Sequence, residues 1–310
     1  MKKIFMLYLL LALPAEAYAS GAGTTAAPFL KAAMSPRAVA LGGAFSALAD
    51  DSGAVFVNPA GLALFDRREA ALDFSTYLQD AKMGNLSYAG MMGLHRFGLG
   101  VTFMTVGGIA KTLNDTPSSG AVPELGTFDA SDMAVTLAYA KKEFAPELMP
   151  RLDGGFSLKF IRSAIDTKTA FAVAVDAGVI YRTTEKINLS MALQNLGTKM
   201  KFVEESDPLP LNLRAGALYK ASEKLNVAVE INEYLQDNKI YPSLGAEYWF
   251  RNALALRGGY KFGYDTANLG SEVGLSLGFG IKVQGLGVDY AFLPFGDLGS
   301  IHRFGVWMQF

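Results

Sequence analysis

The chain has 310 residues, 51% of them hydrophobic, with 28 Lys and Arg against 29 Asp and Glu, a formal net charge of −1 and no cysteine. Near-neutral charge removes the basic footprint of a nucleic-acid binder, and the lack of thiols removes disulfides and thiolate metal sites. Mean hydropathy is positive, yet beyond the first residues no apolar run approaches the ~20 residues that a membrane helix needs.

In chain order, residues 1–19 read as a cleaved export signal: Lys2 and Lys3, an apolar run from Ile4 to Leu13, then Ala17-Tyr18-Ala19 as a small-x-small cleavage site. Ser20 to Arg68 is rich in Ala and Gly and lacks strand alternation, with helical spacing between Arg37 and Ala49. From Glu69 onward the period changes to two. Apolar residues alternate with small or polar ones through segments around Leu72–Leu78, Leu86–Met92, Phe97–Phe103, Met133–Tyr139, Phe156–Phe160, Phe171–Tyr181 and Ile187–Leu193. The pattern continues around Leu211–Tyr219, Leu225–Ile231, Leu244–Phe250, Leu254–Tyr260, Val273–Ile281, Leu286–Phe292 and Ile301–Phe310. The reading is an all-β fold with about 14 strands.

Alternation of this kind also suits half-buried strands of a secreted soluble β-protein, the runner-up reading. The connections favour a transmembrane antiparallel β-barrel. Short ones (His95-Arg96, Thr183 to Lys186, Ser222 to Lys224, Arg251-Asn252, Gln284-Gly285) alternate with longer ones (Gly107 to Ala130, Arg162 to Thr169, Gly197 to Pro210, Glu233 to Lys239, Lys261 to Ser271, Pro294 to Ser300). Short periplasmic turns and longer external loops are the pattern of outer-membrane barrels. Lys141 to Leu152 is long for a periplasmic turn, and Gln79 to Lys82 short for an external loop. The expected location is the outer membrane of a Gram-negative bacterium with both termini periplasmic, as a monomer in outer-membrane lipid. Tyr139, Tyr181 and Tyr219 near one end, and Tyr260 and Tyr290 near the other, are candidates for aromatic girdles. Phe310 is the expected signal to the barrel assembly machinery.

A barrel of about fourteen strands encloses more space than wall side chains fill. The expected occupant is residues 20–68, a partly helical N-terminal plug in the lumen, which divides the chain into signal (1–19), plug (20–68) and barrel (69–310). Inward faces carry Asp73, Asp132, Lys159, Asp176, Arg214, Glu230, Glu247, Arg257, Lys282, Asp289 and Arg303. Their mixed signs point to a salt-bridged network holding the plug rather than to an ion-selective ring. Val175 is expected to face lipid and Asp176 the lumen, so Asp176→Asn should be mild. The only histidines, His95 and His302, sit at a predicted turn and a strand start, so neither catalysis nor a metal site is expected, and no cofactor. Gly98 to Gly100 and Gly278 to Gly280 precede no helix, so they are not phosphate cradles.

The block Ala27-Pro28-Phe29-Leu30, Arg37-Ala38-Val39-Ala40-Leu41-Gly42-Gly43-Ala44-Phe45, Ala49-Asp50-Asp51 and Asn58-Pro59-Ala60-Gly61-Leu62 closely resembles the N-terminal signature of the PorV/PorQ family, which belongs with the FadL-like outer-membrane proteins. Leu193-Gln194-Asn195-Leu196-Gly197 and Leu244-Gly245-Ala246-Glu247-Tyr248 echo it further. The resemblance implies that Asn58-Pro59-Ala60 sits where the plug meets the wall and that Arg37 pairs with acidic groups of the lumen. It implies binding or transport of a hydrophobic small molecule through a plugged lumen. The alternatives are an accessory or shuttle role beside a type IX-like secretion system, with its components as partners, and a purely structural outer-membrane protein.

Overall fold

The computed structural model describes residues 25–32, 34–111, 126–264 and 266–310; the signal at 1–19 and the start of the plug at 20–24 lie outside the described residues. Fourteen antiparallel strands close into a barrel: β1 (Glu69–Thr76), β2 (Lys82–Met92), β3 (His95–Ala110), β4 (Thr127–Lys141), β5 (Leu152–Ile165), β6 (Lys168–Arg182), β7 (Ile187–Gly197), β10 (Asn212–Lys220), β11 (Leu225–Tyr234), β12 (Lys239–Phe250), β13 (Leu254–Lys261), β14 (Leu275–Val283), β15 (Leu286–Pro294) and β16 (Ser300–Gln309). The remaining pair, β8 (Met200–Lys201) and β9 (Ser206–Asp207), makes a small hairpin within the β7–β10 connection.

Each strand pairs with its neighbour in sequence, so every join is a hairpin and no crossover is needed. The ring closes where β1 meets β16 in the register Glu69↔Gln309 to Thr76↔His302. Closure extends one step further, because Phe310 and Arg68 exchange backbone hydrogen bonds of 3.0 and 3.3 Å. Every edge of the barrel sheet is thereby paired, which is what backbone placed in hydrocarbon requires.

The alternation sorts the faces. On β16 Phe304, Val306 and Met308 are exposed while Arg303 is buried; on β6 Phe171, Val173 and Val175 are exposed while Asp176 is buried. Around the ring the outward face is a belt of Leu, Val, Ile and Phe, far larger than the apolar patches that water-exposed monomers carry.

Several boundaries differ from the alternation. The helical spacing between Arg37 and Ala49 yields only α1 (Pro36–Ala40), because Gly42 and Gly43 take φ of +66° and +84° and turn the chain out of the helix. Arg162 to Thr169 is not a loop: β5 and β6 run on to a two-residue turn in which Asp166 has φ 51°. Val273, read as outward on a strand, precedes β14 and is fully buried, its carbonyl accepting from the Tyr260 hydroxyl at 3.2 Å. Leu78 belongs to a 3-10 turn rather than to β1. Of Gly107 to Ala130, both ends are strand; residues 112–125 lie outside the described residues.

Asp176 also departs from expectation. Its carboxylate holds the Lys159 ammonium at 2.8 Å, the Ser157 hydroxyl at 2.9 Å and the Asn195 N–H at 2.8 Å, all buried beside a register shift between β6 and β7. Neutralising it strands a buried cation. Val175→Arg is expected to destabilise the barrel by about 2–4 kcal/mol, and Asp176→Asn by about 3–5 kcal/mol, whereas Asp132→Asn, at a half-buried carboxylate outside the ion pairs, should stay within about 0.5 kcal/mol. Urea unfolding in vesicles, read by heat-modifiable gel mobility, checks the order.

Candidate functional site

Residues 34–65 run through the inside of the ring, and their chain is mostly turn. It holds α1, α2 (Ala54–Val57) and a 3-10 turn at Pro59–Leu64. Phe45, Leu41, Leu62 and Val55 are among the largest fully buried side chains. A segment with so little regular structure leaves many backbone groups to be satisfied from elsewhere.

The wall supplies the partners. Carbonyls of the inner segment accept from Asn85 (to Met34, 3.2 Å), Asn188 (to Ala47, 3.2 Å), Gln194 (to Phe56, 2.9 Å), Arg96 (to Phe65, 2.7 Å), Ser276 (to Ala40, 3.2 Å) and Arg303 (to Met34, 2.9 Å). Its N–H groups donate to wall carboxylates: Phe45 and Ser46 to Glu230 at 3.1 and 2.8 Å, and Ser52 to Glu69 at 2.9 Å. Of these wall residues only Glu230 and Arg303 were expected as lumen charges; Gln194 entered through the family resemblance alone, and Arg96, read with His95 as a short turn, lies instead in β3 with its side chain buried inside. The available signal was a polar residue on the inward phase of a strand; which backbone group each would meet depends on the tertiary path.

Room for the chain comes from wall glycines. A Cβ at Gly155 would press on the backbone of Pro59 and Ala60, and one at Gly178 would overlap the Asn58 carboxamide. Asn58 itself caps the 3-10 turn, its Oδ1 accepting from Ala60 N–H at 3.1 Å while Nδ2 donates to the Ser46 carbonyl. Gly61 lies against Ala49 with no space for a side chain, and Gly42 against the Tyr260 backbone.

Charge joins segment and wall. Arg37 donates through Nε and Nη2 to both oxygens of Glu247 at 2.8 and 2.9 Å, and through Nη1 to Asp50 at 2.6 Å and Asp51 at 2.9 Å. Arg257 shares Glu247 at 2.8 Å and also pairs with Asp289, which accepts from Trp307 Nε1 at 2.8 Å. Arg214 pairs separately with Glu230 at 2.7 Å. Arg303 and Asp73 are buried but join no ion pair among the described residues, and Lys282 sits over the Trp307 ring at 5.8 Å. His95 and His302 bond the hydroxyls of Tyr139 and Tyr290 on the outward face.

Several cavities lie against the segment, among them one of about 190 Å³ beside Leu48, Ala63, Leu64, Arg182 and Asn188; two others carry the chemistry of interest. At the end carrying Glu69 and Gln309, hereafter the turn end, a polar cavity of about 300 Å³ is lined by Arg37, Asp51, Glu69, Asp289, Trp249 and Trp307. At the opposite, loop end a cavity of about 70 Å³ lies among Val39, Tyr77, Tyr264, Leu293, Phe295 and Ile301, with Lys261 and Arg303 in its lining. Tyr264 stacks between Tyr241 and Phe295, with centroids at 5.6 and 5.9 Å. Burial pushes the Tyr264 hydroxyl well up from its ordinary value.

The family model of an uncharacterised protein family (UPF0164) matches residues 21–140. A comparison with curated proteins gave no match. Among solved structures, the chain is similar to the Ralstonia pickettii toluene transporter TbuX (TM-score 0.64, 14% identity, covering 89% of this chain and 98% of that one). It is similar also to the monoaromatic hydrocarbon channel CymD (0.63, 12%, 89% and 96%) and to a Pseudomonas aeruginosa FadL homologue (0.60, 12%, 89% and 98%). At these identities the likeness establishes the fold: a closed barrel of FadL type.

Within the turn-end cavity the setting of Asp51 should make the fold sensitive to pH. Burial, with Glu69 and Asp50 nearby, pushes its carboxyl up to about 7, although Arg37 acts in the opposite direction. A carboxyl raised in the folded state binds its proton there more readily than in the unfolded chain, so its contribution to stability is lost as pH rises from about 4 to about 7. Wild type should therefore lose more stability between pH 4 and pH 7 than Asp51→Asn does. Denaturant midpoints in detergent at a series of pH values measure that difference, and parallel curves would contradict it.

Proposed function

We propose that this chain is a Gram-negative outer-membrane barrel that binds and passes a hydrophobic small molecule, with residues 34–65 serving as a plug that must shift for passage. The apolar belt and the fold it has in common with a toluene transporter and a monoaromatic hydrocarbon channel support the membrane part of this reading.

The observation that carries it is the loop-end cavity. Its walls are mostly aromatic and aliphatic with a few polar groups, the usual kind of lining for a small-molecule pocket, and at about 70 Å³ it admits only part of such a molecule before the segment shifts. Lys261 and Arg303 reach it without a carboxylate in salt-bridge contact among the described residues. Lys261 extends over Gly43, at the turn that ends α1, its Nζ lying 3.4 Å from where a Cβ on that glycine would be. An apolar molecule with an acidic head would place its body among Tyr77, Tyr264 and Phe295 and its charge against these two cations. Binding there lies directly against the segment that has to move.

The accessory role beside a type IX-like secretion system draws on the resemblance carried by Arg37 to Leu62. It is separated by copurification from native membranes: secretion-motor components retained at stoichiometric level would favour it.

Uptake of labelled octanoate and of labelled toluene into cells lacking their own hydrophobic-compound channels tests the transport reading. Wild type should accelerate both; Lys261→Gln should reduce octanoate uptake about tenfold, the loss of about 1.4 kcal/mol, and leave toluene uptake unchanged. No acceleration of either compound over the empty host would rule the reading out.

A further inference from the structure

The turn end is built of tight connections, with one exception: residues 142–151. The stretch reads Lys142-Glu143-Phe144-Ala145-Pro146-Glu147-Leu148-Met149-Pro150-Arg151, and it is neither strand nor helix beyond a single turn in which Leu148 and Met149 N–H groups donate to the Ala145 carbonyl at 3.1 and 2.9 Å. Its two prolines prevent it from adding to a sheet as a regular strand. Length and apolar content both need a reason.

Its polar side is tied to the barrel. Asp153, fully buried, accepts from Glu143 N–H at 2.8 Å and from Arg182 Nε at 2.8 Å, and Arg182 reaches Glu143 at 3.1 Å. Phe144 N–H donates to the Leu152 carbonyl at 3.1 Å, Lys142 N–H to the Leu94 carbonyl at 3.2 Å and Arg182 N–H to the Arg151 carbonyl at 3.1 Å. Held this way, the connection leans on the outward face of the wall. Asp153 points inward, so Gly154 and Phe156 point outward, and the Phe144 ring covers Gly154 so closely that a Cβ there would stand 2.6 Å from its Cδ1.

Phe144 thereby extends an outward aromatic row, Phe97 to Tyr139 at 5.6 Å and Tyr139 to Phe156 at 5.4 Å. The Tyr139 hydroxyl bonds His95 Nδ1 at 2.6 Å, an apolar body with a polar tip of the kind that marks the membrane–water boundary. Beyond that level Phe144 (44%), Leu148 (48%), Met92 (66%) and Leu94 (58%) remain exposed, on or next to two connections joined by the Lys142–Leu94 bond. Lys141, Lys142 and Arg151 flank them.

We infer that residues 142–151, with Met92 at the end of β2 and Leu94 of the turn that follows it, form an interfacial foot that inserts into the phospholipid headgroup layer at the turn end. The partner is lipid because the patch adjoins the outward belt, the Phe144 ring lying on Gly154 of the same outward face as Phe156; the inference rests on the membrane reading of that belt. The apolar side chains enter the headgroup–acyl boundary while the cations stay among the phosphates. The foot fixes the depth and tilt of the barrel on that side.

Because the native chain has no cysteine, single nitroxide labels can be placed at Leu148→Cys, at Val175→Cys on the belt and at Glu185→Cys in an exposed turn of the same end. The protein is reconstituted into phosphatidylethanolamine–phosphatidylglycerol vesicles, with heat-modifiable mobility confirming the fold of each variant. The Leu148 label should collide more with oxygen than with a water-soluble nickel chelate, as at Val175, while Glu185 shows the reverse. A Leu148 label that behaves like Glu185 while Val175 remains in lipid overturns the foot alone. A Leu148 label shielded from both reagents points to a covering protein and also overturns it. A Val175 label in water overturns the membrane reading itself.

Discussion

The rest of the structure depends on one constraint: irregular backbone enclosed by a barrel is cut off from bulk solvent over most of its length, so the wall must satisfy most of its N–H and C=O groups. Residues 34–65 run mostly as turns, and the wall answers with Asn85, Asn188, Gln194, Arg96, Ser276, Glu69 and Glu230 aimed at individual backbone groups. The same need explains the glycines at Gly155 and Gly178, where the segment approaches within backbone contact. Inward polar residues and inward glycines are thus two parts of one solution, the first supplying bonds and the second supplying space.

Charge adds direction to this packing. Glu247 stands between a guanidinium of the segment, Arg37, and one of the wall, Arg257, and Arg257 passes the connection to Asp289 and Trp307. Removing one member of such a buried set leaves the others uncompensated, which costs more than the set contributes as a whole. The network lies at the turn end, beside the polar cavity; the loop-end cavity is largely aromatic and aliphatic and holds three cations, of which Lys31 pairs with Asp237 while Lys261 and Arg303 join no ion pair among the described residues. An apolar acid would meet matching chemistry at the loop end and a sealed, salt-bridged segment behind it.

Strand number and order were legible in the chain because one face of every strand meets an apolar surrounding, so the period of two survives along the whole barrel. Legibility failed where that contrast fades. Ser163 and Thr169 looked like loop because the run Arg162 to Thr169 breaks the alternation with charged and hydroxyl residues, yet β5 and β6 continue through it to a two-residue turn. Val273 fits the outward phase by spacing alone, yet the turn ahead of β14 folds it inside. The Ala-rich spacing after Arg37 satisfies a helix until Gly42 and Gly43 leave it. Arg37, Asp50, Asp51 and Asn58 could be singled out from their order in the sequence, but the pairing of Asp176 with Lys159, and the hydrogen-bond duties of Asn85 or Gln194, are properties of the closed ring.

The central claim, that residues 34–65 fill the lumen and must shift for a molecule to pass, is tested most directly by locking them to the wall. The Ser46 and Ser190 hydroxyls lie 2.8 Å apart across that boundary, and the chain offers no other cysteine to interfere. In the double variant Ser46→Cys, Ser190→Cys, oxidation should form the cross-link and stop uptake of labelled octanoate, and a reductant should restore it. Uptake that continues undiminished with the cross-link formed would contradict the account.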